Sequence, residues 1–137
     1  MMISSNKGIY QLSLSTLKMM NLSDVHSPSW GVSFDYGREQ FYWAGGDKGT
    51  TIHRSNLKSS NLKTAQEFLA GGPPVTGLAY DWIADNIYYA NELEVGVCAS
   101  SGGNCTKLIE DTRQPPVQVA LDPRLGYNIS SEVLDVK

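Results

Sequence analysis

Residues 74–88 read Pro-Val-Thr-Gly-Leu-Ala-Tyr-Asp-Trp-Ile-Ala-Asp-Asn-Ile-Tyr, from Pro74 to Tyr88. The stretch contains a proline, an apolar run that ends at Asp81, a short polar segment and the start of an aromatic run. Alternation of apolar and polar residues and many β-branched and aromatic residues favour strands on both sides of the polar segment. The stretch therefore predicts two strands joined by a turn.

The same order of signals occurs three times. In each copy a proline stands seven residues before an aspartate, with an apolar run leading into the aspartate: Pro28 and Asp35, Pro74 and Asp81, and Pro115 and Asp122. The aspartates are 46 and then 41 residues apart. A period of this length, built from short β-like runs, is typical of a β-propeller, in which each unit buries its faces against its neighbours.

Each period contains an apolar run, an aromatic run, a mixed third run and a short fourth run. The apolar runs cover 30–36, 76–82 and 117–122, the aromatic runs 40–44 and 86–90, the third runs 9–14, 52–57 and 95–100, and the fourth runs 68–70 and 107–109. Four strands per period match one propeller blade. Residues 58–68 also suit a short helix by propensity, but the repeat favours a turn followed by the outer strand.

Composition and charge restrict the class of protein. With 137 residues, 41% of them hydrophobic, the chain suits one packed domain. The net charge of −3, with both signs interspersed, argues against nucleic acid or an anionic membrane as the main partner. No apolar run reaches the roughly 18 residues of a membrane span, and residues 1–6 lack the pattern of a signal peptide.

The two cysteines, Cys98 and Cys105, flank a turn-rich insert between two β-like runs. This spacing suits a disulfide across a hairpin, although two buried free thiols are the alternative. A disulfide would indicate an oxidising compartment. Three Asn-x-Ser/Thr sequences point the same way as candidate N-glycosylation sites: Asn21, Asn104 and Asn128.

The chain shows little sign of catalytic chemistry. His26 and His53 are the side chains whose ordinary pKa lies nearest neutrality, and ordinary surface or edge positions explain them best. The three repeated aspartates recur once per period at strand ends, which favours bonding to nearby backbone over acid–base catalysis. No metal-ligand spacing, nucleophile–base set or phosphate-binding loop is present in the sequence. We therefore expect no enzyme activity, no metal and no cofactor.

Two tetrapeptides, Tyr42-Trp43-Ala44-Gly45 and Tyr88-Tyr89-Ala90-Asn91, end the aromatic runs. They resemble the Tyr-Trp-Thr-Asp motif of the YWTD (class B) repeats of the low-density lipoprotein receptor family. Residues 74–88 are similar to that family's Pro-x-x-Gly-Leu-Ala-x-Asp-Trp-Ile-x-x-x-Ile-Tyr, and residues 120–127 to its Ala-Leu-Asp-Pro-x-x-Gly-Tyr. The resemblance covers residues 3 to about 127. It implies structural roles for eight residues of the repeat: Asp35, Tyr42, Trp43, Asp81, Trp82, Tyr88, Tyr89 and Asp122.

The resemblance implies an all-β fold, a partial six-bladed propeller over residues 2–127. Its parts would be an incomplete blade at 2–25, whole blades at 30–71 and 76–110, and the first strand of a further blade at 117–122. Residues 128–137 depart from the family pattern and are expected to form a divergent tail. In the tetrapeptides, Asn91 keeps a side-chain acceptor at the family's aspartate position, whereas Gly45 does not.

Three blades are fewer than the roughly four to eight of closed propellers. We therefore expect an open arc with unpaired strand edges and an exposed apolar flank. One way to satisfy the edges is a strand-exchanged homodimer, in which each copy lends 117–122 to the leading strands of the other.

The function implied by the resemblance is that of a non-catalytic protein-interaction module, part of an extracellular endocytic or signalling receptor. Its partners would be protein ligands of the parent receptor, on the extracellular or lumenal side of a membrane. One alternative is a metal-dependent propeller hydrolase of the lactonase type. Another is a truncated product without independent function.

Overall fold

The computed structural model describes residues 1–5, 7–22, 30–46, 48–58, 66–69, 72–110, 116, 118–124 and 127–131. These residues form thirteen β-strands in four antiparallel sheets, which confirms the all-β fold. The described part of the chain has no helix with the length and apolarity needed to cross a bilayer.

The strands follow one another along the chain and pair with their sequence neighbours in each sheet. The first sheet contains β1 (Met2–Ser5), β2 (Gly8–Leu12) and β3 (Met19–Asn21). The second sheet contains β4 (Val32–Asp35), β5 (Gln40–Gly45), β6 (Thr51–Asn56) and β7 (Gln66–Leu69). The third sheet contains β8 (Val75–Asp81), β9 (Asn86–Asn91), β10 (Glu94–Ala99) and β11 (Cys105–Glu110). The fourth sheet contains β12 (Gln118–Asp122) and β13 (Tyr127–Ser131).

The repeated aspartate organises the turn after the first strand of the second, third and fourth sheets. Its Oδ1 accepts hydrogen bonds from the amides two and three residues further on, at 2.9 and 3.2 Å for Asp35 and at 2.8 and 3.0 Å for Asp81. Asp122 accepts from the amide two residues on at 3.1 Å. Glu39 and Asp85, the last turn residues before the next strand, have left-handed φ angles of 53° and 57°. These local bonds explain why one residue type recurs at this position.

Adjacent sheets approach closely at the glycine of the apolar run. A Cβ atom on Gly31 would lie 3.2 Å from the backbone N of Leu78, and one on Gly77 only 2.8 Å from the Cα of Gln118. Because both neighbours are backbone atoms, a side chain at either glycine would push two sheets apart.

The main hydrophobic core spans the second and third sheets. Its buried members come from both: Tyr42, Ala44, Ile52, Val75, Leu78, Tyr80, Ile87, Tyr89 and Cys98. The rings of Tyr42 and Tyr80 stack with centroids 5.4 Å apart. The two four-stranded sheets therefore pack face to face, as neighbouring blades do.

The fourth sheet differs from the sequence-based expectation. We expected a single strand at 117–122 and a divergent tail from residue 128, but Tyr127–Ser131 forms β13, with Asn128 opposite Leu121. Apolar and polar residue types alternate over 127–130, which favours a strand where β12 offers an unpaired edge. β13 occupies the edge of β12 that a strand-exchanged homodimer would use, so such an exchange would have to displace β13.

Two further expectations concern the edges of the sheets. The alternative helix at 58–68 lies partly outside the described residues, and Gln66–Leu69 is the outer strand β7 instead. Exposed apolar side chains occur along β3 and the loop before it: Leu14, Leu17, Met19 and Met20.

Candidate functional site: an aromatic groove between two sheets

An open groove of about 680 Å³ lies where the β4–β5 turn meets the β8–β9 turn. Seven residues of the second and third sheets line it: Phe34, Asp35, Tyr36, Gly37, Arg38, Tyr80 and Trp82. The aspartate-organised turns place Tyr36 and Trp82 at equivalent positions, one residue after Asp35 and Asp81. The repeat thus presents one aromatic side chain from each sheet.

Two large aromatic side chains of the lining are exposed to solvent. Tyr36 is 83% exposed and Trp82 is 59% exposed, whereas Phe34 is partly buried. The rings of Phe34 and Tyr36 meet edge to face, with centroids 4.6 Å apart. Large rings with an apolar body and a polar tip are the side chains that most often anchor protein interfaces.

Arg38 and Asp85 join the two sheets at the groove. Arg38 Nη1 donates to Asp85 Oδ1 at 2.5 Å and Nη2 donates to Asp85 Oδ2 at 2.8 Å. Nη1 also donates to Asp35 Oδ2 at 3.3 Å. A two-bond pair of this kind fixes the guanidinium in one plane. The hydrogen bond from Arg38 holds the pKa of the Asp85 carboxyl far below its usual range, with Ser100 contributing in the same direction.

Two hydroxyl groups complete the bonding of Asp85. Tyr80 Oη donates to Asp85 Oδ1 at 2.8 Å, and Ser100 Oγ donates to the same oxygen at 2.5 Å. Burial raises the pKa of Tyr80, and its hydrogen bond to Asp85 raises it further. Arg54 Nη1, from β6, donates to the backbone carbonyl of Ser100 at 2.5 Å. The walls of the groove are therefore held by polar contacts that cross between the sheets.

The predicted repeat residues are divided between the groove and the core. Asp35 and Trp82 line the groove, while Asp81 and Asp122 organise their own turns. The aromatic-run residues Tyr42, Trp43 and Tyr89 are buried, and Tyr88 is half-buried.

The histidines and cysteines lie elsewhere. His53 stacks on Trp43 with ring centroids 5.1 Å apart, whereas His26 lies outside the described residues. Cys98 and Cys105 form a disulfide between β10 and β11, so the alternative of free thiols is wrong.

Sequence reasoning missed five of the seven lining residues: Phe34, Tyr36, Gly37, Arg38 and Tyr80. It also missed Asp85, the partner of Arg38. The repeat itself gave a signal for one of them, because Arg38 stands in the turn where the next copy has Ala84. A charged residue in one copy alone could have been read as a contact with a neighbouring unit.

Among the residues with described positions, no group of three or more His, Cys, Asp or Glu side chains is arranged to hold a metal ion.

The chain is similar to a receptor in sequence. It is 30% identical over 130 residues to the vitellogenin receptor of Solenopsis invicta, and the match covers 92% of this chain. The chain spans only 7% of the length of that receptor. No protein-family model matches the chain.

Solved structures share its fold. A chain from a crystal structure of a nidogen/laminin complex aligns with a TM-score of 0.75 at 15% identity, covering 86% of this chain and 46% of that one. A gluconolactonase of Xanthomonas campestris aligns with a TM-score of 0.74 at 14% identity, covering 90% of this chain and 41% of the enzyme. At these identities the structural matches establish the fold alone, a partial β-propeller. The receptor match and the repeat motifs show that the chain contains YWTD repeats of the low-density lipoprotein receptor family.

Proposed function

We propose that this chain is a non-catalytic protein-interaction module of an extracellular endocytic or signalling receptor, and that the aromatic groove binds a segment of a protein ligand. The observation that carries the proposal is the pair of exposed rings, Tyr36 and Trp82, presented on two adjacent sheets.

The physical argument rests on what the groove offers a partner. Its rings supply apolar area that becomes buried on binding, at little cost in side-chain entropy. The Arg38–Asp85 pair fixes the two turns in place before the ligand arrives. Such preorganisation leaves more of the contact energy available for affinity. The sequence match to a receptor named for vitellogenin supports a protein ligand of this kind.

Peptide selection tests the proposal directly. A phage-displayed peptide library would be selected on the immobilised, oxidised chain, and the recovered peptides measured by isothermal titration calorimetry. We expect peptides with an apolar or aromatic anchor, and Trp82→Ala should weaken their binding by about 30-fold, as at an interface hot spot.

The chain offers a matched control for this substitution. Trp30 is 60% exposed, almost the same as Trp82, but it does not line the groove. Trp30→Ala should leave peptide affinity unchanged. The proposal fails if no peptide is enriched, or if the recovered peptides bind the Trp82→Ala variant as tightly as the parent chain. Vitellogenin is the first intact protein to assay in the same format.

A second candidate function, lactone hydrolysis, comes from the structural match to gluconolactonase. The test is hydrolysis of gluconolactone by the purified chain with added calcium, zinc or manganese ions. We expect the rate of the buffer alone. A faster rate that depends on both protein and metal would replace the receptor assignment with the enzyme.

A further inference from the structure

The three candidate glycosylation sequences lie in different local structures. Asn21 is the last residue of β3 and pairs with Tyr10, and Asn128 lies within β13 opposite Leu121. Asn104 instead lies in the loop between β10 and β11. Among the three, Asn104 is the acceptor placed outside a strand.

The β10–β11 loop presents Asn104 at the surface. The loop includes Gly102 and Gly103, both with left-handed φ angles, 90° and 103°. A Cβ atom on Gly103 would meet no heavy atom within 4 Å, so the space beside the acceptor is open. Asn104 itself is exposed, and so is Thr106, which supplies the hydroxyl of the sequence.

The middle residue of the Asn-x-Thr glycosylation sequence gives independent information about the compartment. Cys105, between the acceptor and Thr106, is bonded to Cys98. Disulfides of this kind form and persist in oxidising compartments, where N-glycosylation also takes place.

We propose that Asn104 carries an N-linked glycan. A glycan is bulky and hydrated, so the folded chain must leave its root exposed with free space around it. The β10–β11 loop meets both requirements. The inference rests on the proposed function only in that the chain must enter the secretory pathway.

The site of attachment also has a consequence for the molecule. Asn104 immediately precedes β11, an edge strand whose residues from Thr106 to Glu110 are all exposed. Leu108 and Ile109 are apolar members of this edge. A glycan on Asn104, at the start of this edge, would stand beside backbone groups that another chain could otherwise pair with.

The experiment is expression of the full chain behind a cleavable signal peptide in insect cells. PNGase F converts a glycosylated asparagine to aspartate, and peptide mass mapping locates the converted position. We expect conversion at residue 104 in the parent chain. Asn104→Gln and Thr106→Ala should abolish it, whereas Thr106→Ser should retain it because serine also supplies the hydroxyl.

A matched control and a clear negative complete the design. Asn21→Gln removes another acceptor and should leave conversion at position 104 unchanged. Secreted chain with unmodified Asn104 would overturn the inference. This readout is independent of ligand binding, so a failed glycosylation test and a failed peptide selection are distinguishable.

Discussion

The second and third sheets share a backbone plan but are braced by different chemistry. In both, the aspartate organises the first turn, and the pairing of the third and fourth strands is irregular at the same place, between Ile52 and His53 and between Val95 and Gly96. The residue opposite the buried aromatic differs: Trp43 faces His53, whereas Tyr89 faces Gly96. The repeat therefore specifies strand geometry and leaves the side-chain contacts to vary.

Among the residues that the structure describes, the third sheet has more cross-strand bracing. Its third and fourth strands are joined by the disulfide, and Tyr89 Oη donates to Glu94 Oε1 at 2.8 Å. Lys107 on β11 pairs with the same carboxylate group at 2.9 Å. At the end of β9, Asn91 Oδ1 accepts the amides of Leu93 and Glu94, each at 2.9 Å.

The equivalent positions of the second sheet make fewer such side-chain contacts. Gly45 stands where the third sheet has Asn91, and has no side chain to organise the following turn. His53 stacks on Trp43 and lies 3.8 Å from a carboxylate oxygen of Glu67 on β7. We infer that the second sheet opens more readily than the third. Substitutions, disulfide reduction and acid should each change the stability of one sheet more than that of the other.

The largest effect is expected at Gly96. A Cβ atom there would lie 2.4 Å from the ring of Tyr89, which is 3% exposed and is held by its hydrogen bond to Glu94. Gly96→Ala should destabilise the chain by about 3 kcal/mol, measured by urea unfolding. His53→Ala at the equivalent position of the second sheet removes a ring contact instead and should cost only about 1 kcal/mol.

A double substitution checks the cause of the Gly96 effect. In a Tyr89→Ala background the clash is gone, so Gly96→Ala should add little further destabilisation. Equal costs of Gly96→Ala in both backgrounds would contradict the proposed contact.

The second largest effect is expected at the disulfide. Cys98 and Cys105 are seven residues apart, so reduction should cost about 2 kcal/mol, the low end for such a short loop. In hydrogen exchange followed by mass spectrometry, reduction should speed exchange in peptides from 86–110 and leave those from 40–56 nearly unchanged. The difference between the two sheets should then become smaller. Equal acceleration in both regions would show that the sheets open as one unit.

Local signals in the sequence predicted the parts that the two sheets share. Proline, glycine and aspartate at fixed spacing act through nearby backbone, so the turns and strands could be inferred from one copy and checked against the next. Gly31 and Gly77 were recognised as members of the apolar run, but their role in close sheet packing required knowledge of the neighbouring sheet.

The groove could not be predicted in the same way. Arg38 and Asp85 are 47 residues apart, and their contact exists only because two sheets pack with their turns side by side. Nothing in either turn alone specifies that pairing. β13 is a different case, because residues 128–137 were set aside for departing from the family pattern, whereas Tyr127–Ser131 pairs with β12 without that pattern.

The third prediction concerns the side chain that the second sheet lacks. Asn91→Gly gives the third sheet the residue found at Gly45 and leaves two amides without their acceptor. We expect a loss of about 1 kcal/mol in the free energy of unfolding, the usual contribution of such a hydrogen bond. Glu92→Gly, an exposed change in the same turn, serves as the control for added backbone freedom. If both substitutions cost the same, the side-chain bonds of Asn91 contribute nothing beyond turn rigidity.

The smallest effect is expected from pH, and only in the second sheet. Burial against Trp43 lowers the pKa of His53 from 6.5, while nearby Glu67 opposes the shift. Because the pKa is lower in the folded chain than in the unfolded one, the stabilising effect of neutral His53 is complete above pH 6.5 and is lost as the pH falls through the folded-state pKa. Thermal unfolding should therefore show a lower melting temperature in mildly acidic buffer, and His53→Phe should remove that part of the pH dependence while keeping a ring against Trp43. In hydrogen exchange corrected for the intrinsic effect of pH, mild acid should speed exchange most in peptides from the second sheet. An acid effect that persists unchanged in His53→Phe would assign it to carboxyl groups elsewhere and remove His53 from the explanation.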